Sequence, residues 1–258
     1  MRTFPPRAAA FEVLLPRNGF GPRLAGRAGD VWRAMQDVVA DHSDSVGWTP
    51  ERFVAAGTMF VVRTMTVEHV REVHINEPLT GRTWPSRARR QMLFTRQVRL
   101  FSGHELVATA SQEWAYLSRE VQATRAGKEL FDAYTIDEGY PEVSVPRAEV
   151  APDAPVRRFS FTVWHGWMDS NGHANHTAYV DYCDEGVARI VAAEGGDAQA
   201  LVPVKETVHF RAAVGAGDEV TVETTEAAPQ DDARVFSHRI LVAGKVCATA
   251  TLVRRPLR

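Results

Sequence analysis

Two stretches far apart in the 258-residue chain carry nearly the same residues. Gly103-His-Glu-Leu-Val-Ala-Thr-Ala-Ser111 resembles Gly244-Lys-Val-Cys-Ala-Thr-Ala-Thr251, which has one residue fewer. The segments before them also follow one order: strand, helix, then several strands. A chain that repeats its own element order is a duplicated unit, and this restricts the fold more than any single motif does. In each unit one long helix and about five antiparallel strands must share a core, which they can do only if the sheet curls around the helix.

Periodicity places the elements. In the first half a strand is expected over Phe11 to Leu15. Asp30 is the expected N-cap of a helix in which Val31, Met35, Val38, Val39, His42 and Val46 recur at helical steps, with Gly47 as its stop. Strand-rich runs follow at Met59–Arg71, Met92–Phe101 and Glu105–Leu117. In the second half Arg157–Trp164 reads as a strand, and a helix from about Asn175 to Glu194 ends at Gly195-Gly196. Val202–Ala213 alternates, with Val202, Val204, Val208, Phe210 and Ala212 on one phase and Lys205, Thr207, His209 and Arg211 on the other. That is the pattern of a half-buried strand. Glu219–Thr225, Arg234–Val242 and Lys245–Arg254 complete the set. Between the halves Pro141, Pro146, Pro152 and Pro155 sit among acids. Each proline removes a backbone donor and restricts its predecessor, so a linker over 138–156 is expected between domains at 1–137 and 157–258.

Charge narrows the function. Thirty Lys and Arg against 32 Asp and Glu give no basic excess to hold nucleic acid or an anionic membrane. No apolar run approaches the ~18 residues of a membrane span. Pro5, Pro6, Arg7 and Glu12 interrupt any apolar signal region, and two cysteines, Cys183 and Cys247, make no disulfide framework. A reduced, cytoplasmic protein is the expectation.

The stretch dense in reactive side chains is Trp164-His-Gly-Trp-Met-Asp169-Ser-Asn171-Gly-His173-Ala-Asn175-His176-Thr-Ala-Tyr179, between a strand and the second helix. Asp169, Asn171, His173 and Asn175 are two apart and share one side of an extended loop. A helix start adds unpaired N–H groups and a positive dipole end. A carboxylate beside such donors can attack, or hydrate, a carbonyl while the donors hold the oxyanion. The bland alternative weighs as much: Asp169 and Asn171 shape a turn, and Asn175 caps the helix.

The same stretch resembles the signature of hotdog-fold thioesterases. It is most similar to the acyl-acyl-carrier-protein thioesterase family, which carries two hotdog domains in one chain. Its Asp-x-Asn-x-His-x-Asn-Asn-x-x-Tyr pattern falls on Asp169, Asn171, His173, Asn175 and Tyr179, with His176 in place of the second Asn. A helix Glu of that family falls on Glu185. The 4-hydroxybenzoyl-CoA thioesterases also place their catalytic Asp at the Asp169 position. Trp32-Arg-Ala-Met35-Gln36 through Gly47, Thr83-Trp84-Pro85 and Gln112-Glu113-Trp114 resemble the family's first domain. Where it has Glu-Cys after the catalytic helix, the nearest residues here are Ala213 and Val214, which have no acid–base chemistry.

The resemblance implies an α+β tandem hotdog that hydrolyses acyl thioesters of acyl carrier protein or coenzyme A, in fatty acid biosynthesis, without a cofactor. It implies one active site, in the second domain, since the first-half loop Arg23-Leu-Ala-Gly-Arg-Ala-Gly-Asp30 lacks an Asp/His pair. Asp169 is then nucleophile or general base, and sequence does not choose between them. Asn171 holds the carboxylate or a water, His173 polarises the carbonyl or orients Asp169, and N–H groups near Asn175–Thr177 take the oxyanion. Asn175, His176, Tyr179 and Glu185 are assigned to substrate binding.

Other signals are weaker. His165, His173 and His176 with Asp169 lack a ligand set at metal spacing, so no metal is expected. Arg82, Arg87, Arg89, Arg90, Arg96 and Arg99 lie in an acid-free run over 78–104. This reads as a solvated strand face, or as a dock in which Arg87, Arg89 and Arg90 meet carrier protein or coenzyme A phosphates. Trp32, Met35, Met59, Phe60 and Met65 are candidates for an acyl pocket, with plain core as the alternative. Two readings compete with hydrolysis: a hotdog enoyl-thioester hydratase or dehydratase, and a non-catalytic acyl-binding protein. Association of two chains into a homodimer is left open.

Overall fold

A computed structural model describes residues 4–257. Its first half runs β1 (Ala9–Val13), α1 (Ala28–Ser45), α2 (Pro50–Ala56), β2 (Thr58–His69), β3 (Leu79–Arg89), β4 (Leu93–Ser102), β5 (Glu105–Ser118) and α3 (Lys128–Ala133). The second runs β6 (Val156–Thr162), α4 (Ala178–Ala193), β7 (Leu201–Phe210), β8 (Glu219–Gln230), β9 (Ala233–Val242) and β10 (Lys245–Pro256). All ten strands join one sheet in the order β1-β3-β4-β5-β2-β7-β10-β9-β8-β6. The second five mirror the first five, so the duplication read from sequence is a two-fold relation in space. The joint is an antiparallel β2–β7 pair from Thr64↔His209 to Glu68↔Lys205, and at Thr66↔Thr207 the two hydroxyls bond at 2.8 Å.

α1 and α4 lie against this sheet and each other. Val31, Trp32, Met35, Val38, Val39 and His42 are the buried stripe of α1. α4 buries residues on most sides, from Tyr179 to Val191, because it lies between the sheet and α1. One apolar core runs from Val13 through both helices to Leu252. α1 passes so close to β3 that a Cβ on Gly81 would stand 2.1 Å from Val38 Cγ2. The fold is the expected tandem hotdog.

Several boundaries differ from expectation. β1 sits two residues early, because its partner strand ends where Val13 meets Leu79. α1 starts at Ala28 with Arg27 as its cap, and Asp30 lies in the first turn with Oδ1 3.1 Å from Arg33 Nη1. α4 starts at Ala178, since residues 175–177 form the turn that leads into it. Residues 138–155 have no regular structure, but they are strapped to the sheet. Val143 N–H donates to Ser111 Oγ at 2.7 Å, Arg99 Nη2 to the Pro141 carbonyl at 2.9 Å and Ala228 N–H to the Glu149 carbonyl at 2.9 Å. Proline-rich chain cannot donate into a ladder, so its carbonyls and scattered amides are tied by side chains instead.

Three histidines are enclosed where charge is costly. Burial pushes His42 and His238 down to about 3, helped by Arg96 and Arg254 respectively, and burial alone pushes His176 down to about 4. The unfolded chain takes up these protons first, starting near the ordinary value of about 6.5. Stability is therefore complete above pH ~6.5 and is lost as pH falls toward the folded values, at ~1.4 kcal/mol for each pH unit between them. We expect the melting temperature to fall already between about pH 6.5 and 5, above the range of ordinary carboxylates. A flat profile down to pH ~5 would contradict this.

Candidate active site

The segment between β6 and α4 is a tight hairpin held by its backbone. A single 3-10 turn at His165–Trp167 leads in. Asp169 N–H then donates to the His173 carbonyl at 2.8 Å, and Gly172 N–H to the Asp169 carbonyl at 3.0 Å. Gly172 has φ +79, so Asn171-Gly172 makes the reversal in a region that favours glycine. Asp169 Oδ1 accepts the Asn171 N–H at 2.8 Å, which fixes the carboxylate and leaves Oδ2 without a hydrogen bond among the described residues. His173 Nδ1 stands 3.8 Å from Oδ1, too far for a hydrogen bond. The two side chains are a quarter to a third exposed, so solvent reaches both.

The remaining residues of the motif face elsewhere. Asn175 Oδ1 accepts from Thr177 N and Oγ1 at 3.1 and 3.0 Å, so its side chain shapes the turn that leads into α4, whose N-cap Thr177 makes no capping side-chain bond of its own. Asn175 N–H is bonded to the Trp167 carbonyl. Of the amides at 175–177 only that of His176 donates to no group among the described residues. The His176 ring stands edge-on to Trp114 and Phe210 at 5.9 and 6.0 Å, and its buried Nε2 has no partner among the described residues. Tyr179 is core, packed on Phe210, and burial pushes its phenol up and out of acid–base use. Cys183 is fully buried and burial pushes its thiol well up, which makes it packing. Val214 offers only its carbonyl, to Ala174 N–H at 2.8 Å.

The hairpin ends a cavity of about 320 Å³. Ser170 and Asn171, the residues after Asp169, form part of its wall. The rest comes from the first half: Gln36, Val39, Ala40, Ser43 and Asp44 of α1, then Trp48, α2, and strands β2 to β5 with Tyr134. Of the proposed pocket residues, Met59 and Phe60 line it. Trp32, Met35 and Met65 do not; all are fully buried in the main core, and Trp32 Nε1 donates to Glu206 at 3.2 Å.

Glu185 is separate from this site. It is paired with Arg189 and lines a second cleft, formed by α4 and the loop at 16–28. The arginine run divides. Arg87, Arg89 and Arg90 are exposed, and Arg87 is already paired with Glu142 at 2.9 Å. Arg96 and Arg99 are buried, 7% and 4% exposed, contrary to a solvated face. Sequence reading also missed Gln36, Trp48 and Arg119 in the cavity wall, because they come from segments brought together only by folding.

The first-half loop has the same frame without the chemistry. Gly21 N–H donates to the Ala25 carbonyl at 2.9 Å, and Leu24 N–H to the Gly21 carbonyl at 2.9 Å, as Asp169, His173 and Gly172 do in the hairpin. Leu24 has φ +59 where Gly172 has +79. Glycine thus stands in the place of Asp169 and alanine in that of His173. Among the described residues no cluster of His, Cys, Asp and Glu could hold a metal ion, and no helix is long and apolar enough to cross a membrane.

Comparison with known proteins bears on the family and the fold. Residues 34–108 match the Thioesterase superfamily and residues 163–255 match the Thioesterase-like superfamily. No curated protein matches the chain. Among solved structures, a Lactobacillus plantarum protein provisionally named oleoyl thioesterase superposes with a TM-score of 0.85 at 18% identity, over 98% of both chains. An acyl-ACP thioesterase from Bacteroides thetaiotaomicron gives 0.78 at 15% identity, over 96% of this chain and 97% of that one. The 12:0-ACP thioesterase from Umbellularia californica gives 0.79 at 17%, over 96% and 94%. With a thioesterase-superfamily match in each half and a mirrored ten-stranded sheet joining them, this chain belongs to the thioesterase superfamily and is a thioester hydrolase built from two hotdog units.

Proposed function

We propose that the chain hydrolyses acyl thioesters at Asp169, with the acyl group in the first-half cavity. The observation that supports this reading is that Ser170 and Asn171, which follow Asp169 in the chain, line the aromatic-walled cavity, although Asp169 itself is not among its lining residues. Asp169 is held in direction by one backbone N–H and keeps an oxygen free, so it can attack the thioester carbon or take a proton from water. Attack forms a mixed anhydride with loss of thiolate, and water then returns the carboxylate and releases the acid. With water as nucleophile the acid forms directly. The His176 N–H at the start of α4 is the donor available to the oxyanion. His173 is a positive charge for the same oxygen when protonated.

Carrier-protein thioesters are the favoured substrate class. Two of the similar structures are named for acyl-ACP hydrolysis, and exposed Arg89 and Arg90, without an ion pair among the described residues, suit an acidic carrier or a phosphopantetheine phosphate. On this reading the enzyme acts at chain release in fatty acid biosynthesis, in the cytoplasm.

The test is thiol release from matched acyl-ACP and acyl-CoA panels, with enoyl-CoA hydration as control. We expect release from both carriers, a lower KM for carrier protein, and a rise in KM for the carrier-bound substrate but not for a small thioester when Arg89 and Arg90 are reversed to Glu. Hydration without thiol release, or binding without either, would overturn hydrolysis.

A further inference from the structure

The cavity wall is not uniformly apolar. Trp48, Phe53, Phe60, Phe94 and Trp114 would suit a bare hydrocarbon chain. Among them stands Arg96, 7% exposed on β4. Its Nη1 is 2.8 Å from His42 Nδ1, and its guanidinium lies 5.1 Å from the Tyr134 ring centre. No carboxylate among the described residues pairs with it, although Asp44 lines the same space. His42 is held neutral by burial and by Arg96, so it serves as an acceptor rather than a counter-ion. A buried guanidinium with five N–H donors, whose partners are the His42 nitrogen and the Tyr134 hydroxyl, keeps donors unspent, and leaving them so is costly.

Two further wall groups are unsatisfied. Trp48 is 6% exposed, and its Nε1 is buried without an acceptor among the described residues. Gln36 Oε1 is buried without a donor among them. A plain alkyl chain would seal all three groups away from water with nothing to bond.

We propose that this cavity selects acyl groups carrying an oxygen function on their distal part, received by Arg96 and Trp48, with Gln36 taking the proton of a hydroxyl. The shared chemistry is an oxygen acceptor, whether hydroxyl, keto or terminal carboxylate. The inference rests on the acyl group occupying this cavity, as proposed above.

The test uses medium-chain CoA thioesters matched in length as plain, ω-hydroxy and ω-carboxy compounds. The oxygenated members should exceed the plain ones in kcat/KM by about tenfold, the scale of one charge-assisted hydrogen bond. A larger gain for the carboxylate identifies an anionic terminus, and a larger gain for the hydroxyl a neutral one. Trp48→Phe keeps an aromatic ring, though a smaller one, and removes the N–H, and Arg96→Met keeps the stem and removes the charge. Both should shrink the oxygenated-to-plain ratio, and Trp48→Phe decides if Arg96→Met does not fold. Preference for plain chains, or a ratio unchanged in the folded variants, overturns the proposal. Calorimetric binding of the free plain and ω-hydroxy acids to the native protein needs no turnover. Tighter binding of the hydroxy acid without any thioesterase activity would sink hydrolysis and support the cavity's selectivity. Hydrolysis of plain chains with equal affinity for both acids would do the reverse.

Discussion

Replacing Glu206 by alanine is expected to destabilise the folded chain by ~3–5 kcal/mol, the cost of breaking a buried charge cluster from one side. Glu206 is fully buried on β7. Its Oε2 accepts from His69 Nε2 of β2 at 2.7 Å and from Trp32 Nε1 of α1 at 3.2 Å. Its Oε1 accepts from Arg254 Nη1 of β10 at 2.5 Å, and Arg254 continues to Asp184 of α4 at 2.7 Å. One carboxylate thus ties both helices and both halves of the sheet. Burial alone would push its carboxyl up, but His69 and Arg254 outweigh that and hold it down to about 2. With its folded value below the ordinary one near 4.5, its contribution is complete above that pH and lost as pH falls toward 2. Removing it strands Arg254, 3% exposed, with one remaining carboxylate. Urea unfolding checks this. A change within the ~0.5 kcal/mol of an ordinary surface exchange would show that the cluster contributes no net stability.

The Glu206 cluster also shows where sequence reading stops. The alternation along Val202–Ala213 was legible, and Glu206 falls on its apolar phase, yet nothing local says that a His and an Arg more than forty residues away on either side will meet it. β3 has no clear strand signal in the sequence, where Gly81 and Pro85 interrupt it. It survives because its pairing with β4 shifts register between Pro85 and Arg87, where a missing donor is tolerated. α2 was legible in principle: Thr49 caps it, Pro50 opens it and Gly57 at φ +66 closes it. At seven residues it falls below the length at which periodicity speaks.

The hairpin was readable because its chemistry is contiguous, Asp169 to His173 in five residues. The cavity beside it was not, because α1, α2 and four strands each contribute a few side chains. Arg96 shows the difference. In sequence it is one of six arginines in an acid-free run, and only the sheet's curvature puts it inside.

Asp169→Asn is expected to lower thiol release by about 10²- to 10⁴-fold, the range for loss of a positioned base or nucleophile. The exchange is nearly isosteric, and an amide oxygen can still accept the Asn171 N–H that shapes the hairpin. Folding should therefore be unchanged, which separates chemistry from structure. The first-half loop is the natural comparison. It keeps the same backbone bonds with Gly21 in that place, so the frame does not depend on the carboxylate.

The decisive experiment is single-turnover thiol release by native and Asp169→Asn protein of matched circular dichroism and melting temperature. Loss of at least about a hundredfold in the rate is the expected result. A variant that folds normally and releases thiol at close to the native rate would contradict it.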